Sequence, residues 1–171
     1  MPSIVVLSGP VGAGKSTVAP ALVQTAPGPT VVIDGDIFWS FFAKADGPFG
    51  HGRNFEIIMR AMIAAAVPFA TAGYETIVDF SIPPGFLDTA RKIAAVREIQ
   101  IQYVVLCPSE RTCAVRAANR PAGAIADYSR YHEFYADFAQ ATSHIIDNES
   151  ITPAAAAAQI RARLAAGKLR I

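Results

Sequence analysis

The 171-residue sequence is short of charge, and neither sign of charge dominates it. Charged residues make up 17% of the chain, against about 25% in a typical soluble domain. The 15 lysines and arginines nearly balance the 14 acidic residues, so the net charge is +1. Such a small charge argues against a nucleic-acid partner held mainly by contacts to phosphates. Hydrophobic residues reach 52%, which predicts one folded domain spanning residues 1–171.

Cysteines and long apolar runs are also scarce. Cys107 and Cys113 are too few for a disulfide framework or a zinc site, and we expect two reduced thiols. The uncharged segment Ala61–Tyr74 is interrupted by Pro68 and Gly73, and it is shorter than the roughly 20 residues of a membrane span. The N-terminus lacks the basic and apolar regions of a signal peptide. We therefore expect a cytoplasmic protein without a membrane partner.

Short apolar runs alternate with helical stretches along the chain. Strands are predicted over five apolar runs, namely Ile4–Leu7, Thr30–Ile33, Thr76–Phe80, Ile99–Leu106 and Ser143–Asp147. Helices are predicted over residues 16–25, 37–47, 54–72, 86–97, 128–141 and 153–169, with another between the prolines at 108 and 121. This alternation predicts an α/β fold in which helices cover both faces of a parallel sheet. Because such sheets bind ligands at the carboxyl ends of their strands, the residues that follow each strand are the candidate site.

The loop after the first predicted strand carries the most specific motif in the chain. Residues 9–16 fit the pattern G-x-x-x-x-G-K-[ST] between a strand and a helix, which is typical of a phosphate-binding loop. Its backbone N–H groups would surround phosphate oxygens, Lys15 would reach the β- and γ-phosphates, and the Ser16 hydroxyl would bind Mg²⁺. The alternative is a glycine-rich turn that only caps the helix. The predicted nucleotide-binding residues are Gly9, Gly12, Ala13, Gly14, Lys15, Ser16 and Thr17.

Further motifs narrow the class of nucleotide-binding protein. The chain has no N-K-x-D motif of the GTPases, and Phe80 follows Asp79 where many motor ATPases have a glutamate. Five segments carry a resemblance to the small P-loop kinases: GPVGAGKST, VVIDGD, TIVDF, RAANRP and HIIDNES. That family includes shikimate, gluconate and adenylylsulfate kinases and the chloramphenicol phosphotransferase-like proteins. The resemblance implies a three-layer P-loop NTPase fold, a five-stranded parallel sheet of order 2-3-1-4-5, and a small lid at about residues 116–130.

Three aspartates follow the second and third predicted strands. Asp34 and Asp36 are two residues apart, so in an extended segment both carboxylates share one face and can point into one cleft. A carboxylate can take the proton of an attacking hydroxyl, and another can hold hydrated Mg²⁺. By similarity to the kinases, Asp36 is expected to be the base at the acceptor hydroxyl, whereas Ser16, Asp34 and Asp79 are expected at the metal. The alternative is that these aspartates only cap the turns that follow the strands.

Two arginines and an aromatic cluster complete the candidate site. Arg116 and Arg120 are four residues apart before a Pro-Ala-Gly break, and they resemble lid arginines that neutralise the transferring phosphoryl group. The alternative is a solvated helix face. Six aromatic residues lie within the stretch 38–55, which suggests an apolar acceptor pocket or, alternatively, ordinary core packing. The predicted substrate residues are Asp36, Phe38, Trp39, His51 and Arg53.

Together these features predict an ATP- and Mg²⁺-dependent kinase that phosphorylates a hydroxyl of a small metabolite or antibiotic. The protein would position the reactants and stabilise charge during direct in-line transfer. Two other functions stay open at this point: a nucleotide-binding regulatory ATPase without an acceptor, and a polynucleotide 5′-hydroxyl kinase. The paired aspartates argue against the first, because a switch needs no base, and the near-neutral charge argues against the second.

Overall fold

A computed structural model describes residues 2–43 and 51–171, and five of their strands form one parallel sheet. The strands are β1 (Ser3–Ser8), β2 (Thr30–Asp34), β3 (Glu75–Asp79), β4 (Gln100–Leu106) and β5 (Ile145–Ile146). Their order across the sheet is β2-β3-β1-β4-β5, and every pairing is parallel. The predicted α/β fold and strand order are therefore confirmed.

Helices cover both faces of the sheet. In the described residues they are α1 (Lys15–Gln24), α2 (His51–Thr71), α3 (Leu87–Ala95), α4 (Glu110–Ala118), α5 (His132–Ala139) and α6 (Pro153–Ala165). The helices α2 and α3 enclose one apolar core with the sheet, and α1, α4 and α6 enclose a second core on the opposite face. The central strand β1 is buried from both sides, so Ile4, Val6 and Leu7 are fully inaccessible. Because β1 is covered on both faces of the sheet, its sequence is a continuous run of apolar residues.

The helix predicted over residues 37–47 is a 3-10 helix, Gly35–Phe41, in its described part. The side chain of Asp34 accepts a hydrogen bond of 2.9 Å from the backbone N–H of Asp36 and so caps this tight turn. A short polar side chain that bonds the backbone two residues later favours a turn over an α-helix. Residues 44–47 of the predicted helix, and Phe49 of the aromatic cluster, lie outside the described residues.

The last strand and the last helix are shorter than predicted. Residues Thr142–His144 form a 3-10 turn, which leaves only two residues for β5. Helix α6 ends at Ala165, and the chain then turns back through Gly167, which has a φ of +67°. The final residues pair with β4 instead, because the N–H of Tyr103 donates to the carbonyl of Leu169 at 2.8 Å. Sequence periodicity cannot show such a return to an unpaired strand edge.

Helix α2 is long and apolar enough to cross a membrane by length and composition alone, and no other helix in the described part of the chain is. One such helix is weak evidence, because the core helix of a soluble protein meets the same criteria. Here Ile58, Met62, Ile63 and Ala66 of α2 are buried in the core against the sheet. A location in the cytoplasm, without a membrane partner, stays a prediction.

Both cysteines are free thiols. Burial raises the pKa of the Cys107 thiol, and it raises the pKa of Cys113 to about 12. Both side chains are therefore protonated and weakly nucleophilic at neutral pH.

The turn after β2 depends on the absence of a side chain at Gly35. A Cβ atom at this position would lie 2.4 Å from the sulfur of Met62 and 2.4 Å from the ring of Phe80. We expect Gly35→Ala to lower the free energy of unfolding by about 1–3 kcal/mol, because an overfilled core must shift. The same shift would displace the two aspartates that flank Gly35.

Urea denaturation measures this effect, with Gly28→Ala as the matched control. No atom lies within 4 Å of a Cβ built at Gly28, so that variant should unfold at or slightly above the parent midpoint. Equal midpoints for the two variants would contradict the close packing at Gly35.

Candidate active site

A cavity of about 420 Å³ lies at the carboxyl ends of the strands. It collects residues from four separate parts of the sequence, and most of the predicted site residues line it. The phosphate loop contributes Gly12, Gly14, Lys15, Ser16 and Thr17; the ends of β2 and β3 contribute Asp34, Asp36, Asp79, Phe80 and Ser81; and the end of α4 contributes Arg116, Asn119 and Arg120.

Close backbone packing shapes the loop between β1 and α1. Gly9, Gly12 and Gly14 have φ angles of +140°, +81° and +96°, which L side chains rarely adopt. A Cβ at Gly9 would lie 2.2 Å from the carbonyl oxygen of Leu106, and one at Gly12 would lie 2.1 Å from that of Cys113. The loop is therefore pressed against the end of β4 and against α4. Its course brings it to the N-terminus of α1, where the helix dipole favours an anion.

Lys15 lies inside this loop. Its ammonium group donates to the carbonyls of Gly9 and Pro10 at 3.0 and 3.1 Å, and to the hydroxyl of Ser81 at 2.8 Å. Burial lowers the pKa of Lys15 to about 8, although Asp79 and Asp36 oppose this effect and Arg120 adds to it. The ammonium is thus held between the loop and the carboxylates, at the place where the motif predicts phosphate contacts.

The carboxylates of Asp34 and Asp79 end neighbouring strands. The two residues are direct partners in the register of β2 and β3, so their backbones are about 5 Å apart. Burial raises the pKa of Asp79 to about 6; Lys15 opposes this effect, and the nearby Asp34 and Asp36 reinforce it. These carboxylates supply oxygen donors of the kind that Mg²⁺ prefers.

The donors present fit Mg²⁺ held through water and phosphate oxygens. No three His, Cys, Asp or Glu side chains in the described ranges form a direct ligand cage. Magnesium usually keeps several water ligands and is bound by one or two carboxylates together with substrate phosphates. Ser16, Asp34 and Asp79 supply such oxygen atoms in one cavity. Their predicted role at the metal stays a prediction.

The two predicted lid arginines have different surroundings. The guanidinium of Arg116 donates to the carbonyls of Ala13, Asn148 and Glu149 at 3.3, 3.1 and 3.4 Å, so it ties α4 to the phosphate loop. Arg120 is exposed, lines the cavity, and lies close enough to Lys15 to lower its pKa. Arg116 is thus tied to backbone carbonyls, whereas Arg120 follows the end of α4 at Ala118 and is exposed.

Sequence reasoning missed a set of hydrogen bonds behind Ser81. The hydroxyl of Ser8 donates to the carbonyl of Ile82 and accepts from its N–H, both at 2.8 Å, and the hydroxyl of Tyr103 donates to the same carbonyl at 2.7 Å. All three residues are fully buried. We name this group the Ile82 clamp. It fixes the chain directly after Ser81, and a serine next to the first loop glycine is its only signal in the sequence.

Two further contacts that the sequence did not reveal hold the phosphate loop. The hydroxyl of Tyr128 donates to the carbonyl of Val11 at 2.7 Å, and the amide of Asn148 donates to that of Ala13 at 2.8 Å. Asn148 and Arg116 also line a second cavity of about 180 Å³, on the other side of Gly14. The loop is thus fastened from the segment after α4 and from the segment after β5.

Only some of the residues predicted to bind the acceptor lie close together in the structure. Trp39 stacks on Phe55 with 6.5 Å between ring centroids, and Phe55 packs against Phe80 at 5.3 Å. These rings extend the core, and Phe80 also lines the cavity. Arg53 is exposed and does not line the cavity, and the side chain of His51 lies outside the described part of the structure.

Residues 4–133 match a protein family described as "AAA domain". The chain belongs to this AAA-domain family. No functionally curated protein matches its sequence at a significant level. Solved structures do share the fold of this AAA-domain chain. The tunicamycin resistance protein of Deinococcus radiodurans is 18% identical, with a TM-score of 0.74 and 96% of each chain covered.

Two other similar structures are named as kinases. The Mycobacterium tuberculosis APS kinase CysC, solved with AMPPNP and APS, is 19% identical with a TM-score of 0.68, and the match covers 95% of the AAA-domain chain and 97% of the kinase. A gluconokinase from Sinorhizobium meliloti 1021 is 19% identical with a TM-score of 0.62, covering 97% and 95%. With the family match, these structures confirm the resemblance to the small P-loop kinases and the P-loop NTPase fold.

The altered pKa values of Lys15 and Asp79 predict how nucleotide binding by this AAA-domain chain depends on pH. Above about pH 8 Lys15 loses the proton that gives it charge, and below about pH 6 Asp79 gains a proton and loses its charge. We expect the affinity for MgATP to be highest between these values. Ser81→Ala should move the alkaline limb to lower pH, because the Ser81 hydroxyl accepts from the charged amine and so stabilises it.

Isothermal titration calorimetry with MgATP from about pH 5 to pH 9 measures how the affinity falls at both ends of this range. Protonation of ATP itself also affects the affinity, but it does so equally in the parent and in every variant. Ser143→Ala, at an exposed serine, is the control. An alkaline limb that is the same in Ser81→Ala and in the parent would contradict the role of Ser81.

Proposed function

We propose that this chain is an ATP- and Mg²⁺-dependent phosphotransferase that transfers a phosphoryl group to a hydroxyl of a small-molecule acceptor. One observation carries the proposal: a single cavity contains the phosphate loop with Lys15, the carboxylate of Asp36, and the exposed guanidinium of Arg120. A phosphate-binding element, a proton acceptor and an exposed cation are the parts that direct phosphoryl transfer uses.

The phosphate loop would bind the nucleotide. Its backbone N–H groups and Lys15 would hold the β- and γ-phosphates, and burial would strengthen these contacts because the local dielectric is low. Ser16, Asp34 and Asp79 would hold Mg²⁺ through oxygen and water, and the metal would neutralise charge on the phosphates. The nucleotide phosphates would then replace the loop carbonyls as partners of Lys15.

The second cavity has the size and lining for the nucleobase. It is bounded by the guanidinium of Arg116 and by apolar groups of Val18, Ile151 and Pro153, next to Thr17 at the start of α1. A planar base would lie against these groups while its phosphates lie in the loop. The guanidinium plane of Arg116 can stack on a base, and its three carbonyl partners already fix its position.

Asp36 would act as the base for the acceptor. Its carboxylate would accept the proton of the acceptor hydroxyl while that oxygen forms a bond to the γ-phosphorus. The bond between the γ-phosphorus and the bridging oxygen would break, and ADP would leave. Asp36 is exposed in the cavity, and its backbone is fixed by the bond to the side chain of Asp34. The capped turn and the site role are therefore compatible.

Arg120 would stabilise the transferring group, and Arg116 would position the loop. The segment 116–130 would serve as the lid, anchored at one end by Arg116 and at the other by the bond from Tyr128 to the phosphate loop. Arg120 lies between these anchors. A cation that contacts the transferring group more closely in the transition state than in the bound nucleotide would stabilise the transition state selectively.

The acceptor hypothesis is favoured over a regulatory ATPase by the position of Asp36. A nucleotide switch has no use for an exposed carboxylate that lines one cavity together with the phosphate loop and Phe80. A polynucleotide acceptor is disfavoured by the net charge of +1. We propose a nucleotide and a small-molecule acceptor as partners, without nucleic acid or membrane, and a location in the cytoplasm.

Two aspartate variants test the division of roles. Asp36→Asn keeps the size of the side chain but cannot accept a proton at neutral pH, so we expect phosphorylation to fall by about 10²–10⁴-fold while MgATP still binds. Asp34→Asn should instead raise the Mg²⁺ concentration that half-saturates the reaction, because a neutral amide holds the metal's water shell less well.

The assay incubates a mixture of hydroxyl compounds with ATP and Mg²⁺ and finds by mass spectrometry any compound that gains one phosphoryl group. A magnesium titration of both variants with that compound then follows. If Asp36→Asn phosphorylates the acceptor at the parental rate, Asp36 is not the base. If the protein binds ATP but phosphorylates none of the compounds, the regulatory ATPase is favoured.

A further inference from the structure

A separate cavity of about 510 Å³ lies at the amino ends of the strands, at the opposite edge of the sheet from the candidate active site. We name it the amino-end cavity. Its lining comes from the first residues of β1 and β3, from β4, and from α6, and none of the described residues lines both this cavity and the active-site cavity. Strand β3 begins at Glu75 and ends at Asp79, so about 13 Å of strand separates the two cavities. The proposed kinase chemistry therefore does not use the amino-end cavity.

Two polar strand residues face this cavity from beside an apolar core. Val5 is the register partner of both Ile77 on β3 and Gln102 on β4. Because alternate residues of a strand share a face, Glu75 lies on the same face as these three residues. Val5 and Ile77 belong to the apolar core that α1 and α6 enclose with the sheet. Glu75 and Gln102 thus place a carboxylate and an amide at the edge of an apolar layer, where burial is costly unless each group finds a partner.

Each of these two side chains has a buried oxygen without a hydrogen-bond partner. The atoms are Oε2 of Glu75 and Oε1 of Gln102, and in the described part of the chain only one other buried side-chain atom, Oδ1 of Asn148, shares this condition. Buried polar groups are normally hydrogen-bonded, because an unpaired acceptor has given up its bonds to water. The terminal torsion of both side chains is broad, so a small rotation presents either oxygen to the cavity. Two such acceptors in one cavity predict a ligand that donates hydrogen bonds.

Arg161 of α6 is committed to other partners. Its guanidinium donates to Oε1 of Glu75, to the hydroxyl of Thr25 at 3.3 Å and to the carbonyl of Leu22, so each of its three nitrogens has a partner. These bonds hold the carboxylate of Glu75 in place and tie α6 to α1 and β3. The positive charge of Arg161 offsets the charge of Glu75. The selectivity of the cavity therefore rests on its unpaired acceptors as much as on charge.

Apolar groups form much of the remaining lining. Pro2, Pro27 and Leu164 line the cavity together with Tyr74, which is 43% exposed. Sites for small molecules combine such an apolar lining with a few polar groups, and their volumes are about 300–1,000 Å³. The amino-end cavity has both features.

We propose that the amino-end cavity is a ligand site, independent of the kinase function, for a small organic cation with N–H donors and an apolar body. The N–H groups would donate to Glu75 and Gln102, and the apolar body would pack against the prolines, Leu164 and Tyr74. A positively charged N–H forms a stronger hydrogen bond to a carboxylate than a neutral donor does. An anion would bring further acceptors to a place where two acceptors already lack donors, so the site should reject it.

Three probes of the same planar shape test the donors and the charge. Benzamidine carries a cationic group with two NH₂ donors, benzamide is neutral with one NH₂, and benzoate is an anion without donors. Titrations of the full chain are followed by two-dimensional ¹H–¹⁵N NMR, with no nucleotide present. We expect benzamidine to bind with a dissociation constant of about 1 mM and at least about tenfold more tightly than benzoate, with benzamide between them. The largest shifts should be at the backbone amides of Gly73, Glu75 and Gln102.

A variant of Gln102 assigns the binding to this cavity. Gln102→Leu removes one acceptor at similar volume, so we expect benzamidine to bind about tenfold more weakly. The same variant should unfold in urea at or above the parent midpoint, because it removes an unpaired buried polar group. Gln140→Leu, at an exposed residue directly after α5, is the matched control and should leave the affinity unchanged.

Four results would overturn the proposal. Benzoate could bind as tightly as benzamidine, or Gln102→Leu could bind benzamidine with parental affinity. The shifts caused by benzamidine could lie in the phosphate loop, residues 9–16, which would place the cation at the carboxylates of the active site. If no probe binds at about 10 mM, water alone serves the two acceptors and the cavity is not a ligand site.

Discussion

The site depends on the close packing of the phosphate loop against the backbone of its neighbours. Gly9 lies against the carbonyl of Leu106 at the end of β4, and Gly12 lies against that of Cys113 in α4. Neither contact leaves room for a side chain, so the loop can follow only one course between β1 and α1. That course sets the distance from the loop to the ends of β3 and β4. Asp79 ends β3, and α4, which carries Arg116, follows β4.

The surrounding contacts hold this arrangement from both sides. On one side the Ile82 clamp fixes Ser81, which contacts Lys15. On the other side Arg116, Tyr128 and Asn148 bond to carbonyls of the loop itself. Buried bonds of this kind are costly to break, because an unpaired polar group would remain in the core. The loop is thus held in one conformation by its own contacts, which would lower the cost of ordering it if a nucleotide binds there as proposed.

Much of the fold, and the phosphate loop, could be predicted because their signals are local. The alternation of apolar runs and helices predicted the parallel sheet, and the resemblance to small kinases supplied its order. Contacts between distant residues carry no such signal. The bonds of Ser8 to Ile82 and of Arg116 to Ala13 join residues far apart in sequence, and so does the pairing of the chain end with β4. The turn at Gly35–Phe41 was predicted as part of a helix over residues 37–47, although a capping role for Asp34 was one of the alternatives left open.

The affinity of Lys15→Ala for MgATP tests the central claim most directly. The variant keeps the backbone of the loop but removes the charge that the phosphates would engage, and Lys92→Ala on α3 removes an exposed charge elsewhere. Isothermal titration at about pH 7 should show affinity weakened by about 10²-fold in Lys15→Ala, with unchanged unfolding and with parental affinity in Lys92→Ala. Equal affinity in Lys15→Ala and the parent would show that this loop does not bind nucleotide phosphates.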